Sequence, residues 1–226
     1  MLSSRKRLEQ RQGKHGTPRH EYLQQLVHEY QRTPQALRKE EIVANLANFA
    51  YDPINYASIQ QLSIVDLFVD ILDMAQSSTA AASSEGHEQQ AQRRRSGTDA
   101  AQASQQRLVE FALGGLCNCL PDPRLQAAFL DSDAAPLVLA YVLDIDTKTS
   151  LEGKHNECAR NTALSALTIC YHLLDSPAFA AMTDEHVAEC MRGLCSHPDV
   201  QVANLAAVFL SRVEEILQQV DSHAVP

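Results

Sequence analysis

The chain has 226 residues, 45% of them hydrophobic, with few aromatics and no tryptophan, enough apolar material to bury a sizeable core. Its net charge of −9 is uneven: Arg5, Lys6, Arg7, Arg11, Lys14 and Arg19 face only Glu9 within the first 20 residues, so the acid excess lies beyond them. An acidic body argues against nucleic-acid binding by charge alone, and no run approaches the ~18 apolar residues of a membrane span.

Residues 1–20 have almost nothing to bury and are expected to form a disordered basic tail. A nuclear-localisation signal, contact with RNA phosphates, or a solvated leader would each suit that composition. Met1-Leu2 runs straight into charge without the apolar stretch of ~7–15 residues that a secretory leader needs. Cys117, Cys119, Cys158, Cys170, Cys190 and Cys195 are therefore expected to be reduced thiols in the nucleus or cytosol.

Tyr22, Leu23, Leu26, Val27 and Tyr30 follow helical spacing and predict a helix over 21–31. Thr33-Pro34 stops it and primes a second helix over 35–50, with Leu37, Ile42, Val43, Leu46, Ala47 and Phe49 as its apolar stripe and Pro53 as its end. A short helix over 54–62 and a longer one over 64–74 follow. The stretch from Ala75 to Ser104 contains no Val, Ile, Leu, Met or aromatic residue. It cannot offset its ordering entropy, so 75–104 is expected to be a disordered, low-complexity insertion. Helical patterns resume at Gln106, then over 125–130 and 136–143. A polar loop spans 144–156. The last helices are expected over 157–174, 178–182, 184–195 (capped by Thr183) and 200–220, with 221–226 as a tail.

Two of these segments repeat. Asn45-Leu46-Ala47-Asn48-Phe49-Ala50-Tyr51-Asp52-Pro53 is echoed by Gly115-Leu116-Cys117-Asn118-Cys119-Leu120-Pro121-Asp122-Pro123, so Asn48 and Asn118 stand 70 positions apart. Without the insertion the period is about 40, in the ~40–47 range of armadillo and HEAT repeats. Ala163-Leu164-x-Ala166-Leu167 matches again, with Ile169 where Asn is expected, and Asn204-Leu205-Ala206 echoes Asn45-Leu46-Ala47. The expected fold is all-α: a right-handed α-solenoid of about four armadillo repeats, occupying 21–74 and 105–220. Such a fold is a binding surface before it is a catalyst.

Closer wording reinforces this. The run from Val43 to Pro53 with Asn55-Tyr56, then Val65-Asp66-Leu67-Phe68, then Val109-Glu110-Phe111-Ala112-x-Gly114-Gly115-Leu116-Cys117-Asn118, resembles a family of small armadillo-repeat proteins. The likeness runs from about Tyr22 to Val213 and is looser beyond Cys119. It implies a non-enzymatic nuclear scaffold that pairs with an RNA-recognition-motif protein (RNA-binding motif protein 48-like). It also implies a place in the minor spliceosome during pre-mRNA splicing, with RNA contact indirect or minor. No role carries over to the leader or the insertion. The other reading is a generic cytoplasmic armadillo adaptor in signalling or transport.

In the armadillo family the third helices line a concave groove. If Asn48 faces it, Glu41 and either Ala44 or Asn45 do too, with Phe111, Gly114 or Gly115 and Asn118 in the next repeat, and Thr162, Ser165, Ile169 and His172 in the third. The candidate partner-binding row is therefore Glu41, Asn45, Asn48, Phe111, Asn118, Ser165, Ile169 and His172. An Asn amide can pair with an extended backbone, yet it can equally brace the following turn, the role favoured for Asn45. For the helical Gly114-Gly115, close packing of a neighbouring helix is favoured over contact with a partner.

Catalytic signatures are missing. The cysteines lack zinc-site spacing, and no phosphate-binding glycine loop, nucleophile elbow or His-Glu-x-x-His occurs. No cofactor, metal, small-molecule substrate or membrane partner is expected.

Overall fold

The computed structural model describes residue 6 and residues 17–84, 98–145 and 157–223, in which all regular structure is helical. In chain order the helices are α1 (Arg19–Arg32), α2 (Ala36–Ala50), α3 (Tyr56–Gln61), α4 (Ile64–Ser84), α5 (Thr98–Cys119), α6 (Pro123–Asp131), α7 (Ala135–Leu143), α8 (Glu157–Leu173), α9 (Phe179–Met182), α10 (Glu185–Leu194) and α11 (Val200–His223). A 3-10 turn over Pro53–Asn55 leads into α3. A helix triplet recurs as α3–α4–α5, α6–α7–α8 and α9–α10–α11, each closing on its longest helix, with α1–α2 standing as the end of a preceding copy. This is an all-α, repeat-packed architecture of the α-solenoid class, built from armadillo-like repeats.

The repeat is written into the turns. Both Asp-Pro pairs open a helix as well as closing one. The Asp52 carboxylate accepts the Ile54 N–H at 3.4 Å, and the Asp122 carboxylate accepts those of Arg124 and Leu125 at 3.0 and 3.3 Å. Each aspartate is an N-cap, and each following proline occupies the first helical position, where no N–H is needed. Further on, Ser63 and Asp133 take positive φ values of 49° and 55° between the first and second helices of their repeats. They stand 70 positions apart, the same offset as Asn48 and Asn118.

The chain divides into two compact units, Met1–Ser132 and Asp133–Pro226. In the first, α5 packs against both α2 and α4. The core there includes Leu23, Ile42, Leu46, Ile59, Phe68, Leu72, Leu113 and Leu116. Gly115 explains the closeness of α4 and α5: a Cβ at this position would stand 2.5 Å from the buried Phe68 ring, whereas one at Gly114 would meet nothing within 4 Å. The second unit packs α8 against α7 and α11, and α10 against α11. The Asp199 carboxylate, almost fully buried, accepts the Gln201 and Val202 N–H groups at the head of α11 and Arg160 Nε of α8 at 2.6 Å. One side chain thus caps one helix and ties another to it.

Several boundaries differ from the sequence expectations. The basic tail ends at Pro18, because Arg19 and His20 belong to α1. Arg19 donates to Asn55 Oδ1 at 3.1 Å and lies over the Phe49 ring, while His20 Nδ1 meets Ser58 Oγ at 3.2 Å. Lys6 apart, residues 1–16 lie outside the described residues. The insertion expected over 75–104 is helical at both ends: α4 continues to Ser84, and α5 begins at Thr98. Alanine-rich sequence favours helix once a packed segment has nucleated it, and Ser104 has a buried partner described below. The remainder of that expectation, 85–97, lies outside the described residues, as do 146–156 of the polar loop and 224–226. Asp184, not Thr183, caps α10, through His186 N–H at 3.0 Å. The Thr183 hydroxyl instead donates to the Phe179 carbonyl.

Substituting Gly115→Ala should destabilise the chain by about 1–3 kcal/mol through overpacking against Phe68. Gly114→Ala should stabilise it by about 0.5–1 kcal/mol, since a helix gains and no neighbour loses. Urea unfolding of both variants beside the parent checks the opposite signs.

Candidate functional site

The face to consider is the one α2 and α5 present together. Buried positions Ile42, Val43, Leu46, Ala47 and Ala50 define the inward side of α2. The opposite side carries Leu37, Glu41, Ala44, Asn48 and Tyr51, all exposed except the half-buried Ala44. On α5, Val109, Ala112, Leu113 and Leu116 turn inward, leaving Phe111, Gly114 and Asn118 partly exposed.

Glu40 holds the two helices in register. It sits in the buried phase of α2 (three residues before Val43 and seven before Ala47), and its carboxylate accepts the Ser104 hydroxyl and the Arg107 guanidinium of α5, with a further contact from Arg107 Nη2 at 3.2 Å. Its side chain is 8% exposed and that of Arg107 40%. Burial pushes the Glu40 carboxyl up, but the hydrogen bonds from Arg107 and Ser104 outweigh it and hold the group below its ordinary value. At the other end of the pair, the Asn118 amide donates to the Ala47 carbonyl at 3.2 Å, and Tyr56 Oη donates to the Asn118 carbonyl at 2.9 Å.

The expected row of partner-binding residues is distributed unevenly. Glu41 and Asn48 are exposed and Asn45 is half-buried, on α2; Phe111 and Asn118 are half-buried, on α5. Glu41 is bonded to Arg38 at 2.8 Å, and Arg38 also holds Glu29 of α1 through two bonds of 2.6 and 2.8 Å. Asn118 takes the bracing role, since its amide N–H is directed into α2. In the second unit, Ser165 and His172 are half-buried on α8, with the His172 ring edge-on to Tyr171 and its pKa lowered by burial. Ile169 must be struck from the row. It is fully buried, between Ala166 and Leu173 on the inward stripe of α8, so the Asn position of the repeat is filled here by a core side chain.

Sequence reading passed over Glu40, Ser104 and Arg107. A signal existed for the first: Glu40 falls in phase with the apolar stripe of its own helix. Ser104 and Arg107 had none, because their partner lies more than 60 residues away. Of the six free cysteines, Cys119 and Cys170 are buried and burial pushes both thiols up to about 12; Cys195 is exposed. No group of three or more His, Cys, Asp or Glu side chains placed to hold a metal occurs among the described residues, and no described helix is long and apolar enough to cross a membrane.

Comparison with known proteins agrees with the geometry. The chain is similar to mouse armadillo repeat-containing protein 7. The two are 29% identical over 205 residues, which is 90% of this chain and 82% of the mouse protein. No protein-family model matches. The similarity takes in both units, and together with the helix-triplet architecture it supports an armadillo-repeat protein-binding scaffold.

Arg107→Ala should cost about 2 kcal/mol, below the ~3–5 of a fully buried broken pair because Arg107 keeps part of its hydration. Because the folded-state pKa of Glu40 is depressed, its contribution is present above the ordinary carboxylate range and is lost as pH falls through the folded value. Thermal melts should therefore show the parent and Glu40→Gln converging below about pH 4.

Proposed function

We propose that the chain is a nuclear scaffold that binds an RNA-recognition-motif protein, one like RNA-binding motif protein 48, and serves the minor spliceosome in pre-mRNA splicing. The observation that carries the reading is similarity to mouse armadillo repeat-containing protein 7 along nine-tenths of the chain. The residues that bear the family resemblance, Val43–Pro53 and Val109–Asn118, are also those that build the α2–α5 pair. An exposed face on rigid, well-packed helices suits protein binding, because the scaffold is ordered before the partner arrives. The acid excess beyond residue 20 favours protein contact, with RNA reached through the partner.

Affinity purification of the tagged chain from nuclear extract, with and without RNase, tests this. Stoichiometric recovery of an RNA-recognition-motif protein together with minor-spliceosome components, surviving RNase, is the expected result. Recovery of cytoplasmic adaptor partners with no splicing factor would overturn it.

A further inference from the structure

The first turns of α5 are held down differently from the rest of the helix. From Val109 onward the inward side is apolar, with Val109, Ala112, Leu113 and Leu116 buried. Residues 98–107 read Thr-Asp-Ala-Ala-Gln-Ala-Ser-Gln-Gln-Arg, in which no apolar side chain is larger than alanine. Of residues 100–107, Ser104 is the one that is buried. Ala103, Gln105 and Arg107 are half-buried, and Ala100, Ala101, Gln102 and Gln106 are exposed. Little apolar area therefore holds this stretch to its neighbours, and helix of such composition extends from a formed turn with almost no net gain per residue. The attachment is polar: Ser104 and Arg107 both bond to the Glu40 carboxylate of α2.

That attachment favours two states over a graded range. The Glu40 side chain is 8% exposed. With the stretch docked, the hydroxyl and the guanidinium satisfy its carboxylate. With the stretch lifted, the atoms of Ser104 and Arg107 that cover the carboxylate leave together with the donors, and Glu40 returns to water. The costly arrangement is the one between, a covered carboxylate without its donors. We propose that residues 98–107 form a strap, latched by Glu40, that docks and lifts as a unit while the remainder of α5 stays packed. Proteins open in such local cooperative segments well below the free energy of global unfolding. Lifting the strap uncovers the Glu40 side of α2, so the chain presents this part of the α2–α5 pair in two forms. The inference is independent of which partner the scaffold binds.

Residue-resolved amide hydrogen exchange of the full chain by NMR tests it, under conditions in which exchange reports the opening equilibrium. The first four N–H groups of a helix lack intrahelical acceptors, so amides 102–107 report the strap and 112–119 the packed helix. In the parent, 102–107 should be protected, yet exchange about tenfold or more faster than 112–119. Glu40→Gln weakens the latch and so destabilises the docked state relative to the lifted and the unfolded states alike. Both groups of amides should accelerate by a common factor, about tenfold or more. Ile59→Val acts elsewhere, since Ile59 is fully buried on α3, which packs against α1, α4 and α6. It should accelerate 112–119 about threefold to tenfold and leave 102–107 unchanged. Equal acceleration of both groups by Ile59→Val would overturn the inference, because the stretch would then open only with the whole unit. Absence of protection at 102–107 in the parent, or indifference of those amides to Glu40→Gln, would overturn it as well.

Discussion

A carboxylate that must be buried governs the first unit. Glu40 lies in the inward phase of α2, where an unpaired charge would be far too costly to keep. It persists only because α5 brings Ser104 and Arg107 to it. The pair therefore does more than decorate an apolar contact: register between α2 and α5 is fixed by the need to satisfy two carboxylate oxygens, and a slip of one turn would leave them bare. Gly115 sets the third side of the arrangement by letting Phe68 of α4 close on the same helix. Apolar packing supplies most of the stabilisation, while the buried polar contact and the missing Cβ select one arrangement among many of similar area.

The second unit reaches the same end by a different assignment of charge. There the arginine, Arg160, belongs to the earlier long helix, and the acid, Asp199, stands at the entry to the later one. Asp199 also accepts two backbone N–H groups, so burial, capping and interhelical pairing converge on one side chain; burial raises its pKa, and those contacts more than reverse the effect. Repeat architecture thus constrains where long helices must be joined, while the polar chemistry of the join varies from copy to copy.

This variation explains what was legible in the sequence. Helix triplets and the Asp-Pro turns depend on local spacing and capping, and local rules recover them. Glu40 was half legible, as an acid out of place in an apolar stripe. Ser104 was the opposite case: it lay in a stretch whose composition argued for disorder, yet one distant carboxylate draws it into the core. Ile169 failed for another reason. Homologous position in a repeat predicted an exposed groove residue, but its helical phase, between Ala166 and Leu173, was already that of the core. Phase within the actual helix outranks position within an idealised repeat.

The same inward use of polar groups shapes the surface that is left. Arg38 bridges Glu29 and Glu41, Arg107 answers Glu40, and Asn118 bonds to Ala47, so the groups best able to attract a charged or extended ligand to the α2–α5 face are committed to holding the helices together. What remains outward is Leu37, Ala44 and Tyr51 in line, interrupted by Asn48. One arginine shared by two carboxylates leaves this face a small net acid, held by groups already engaged within the fold.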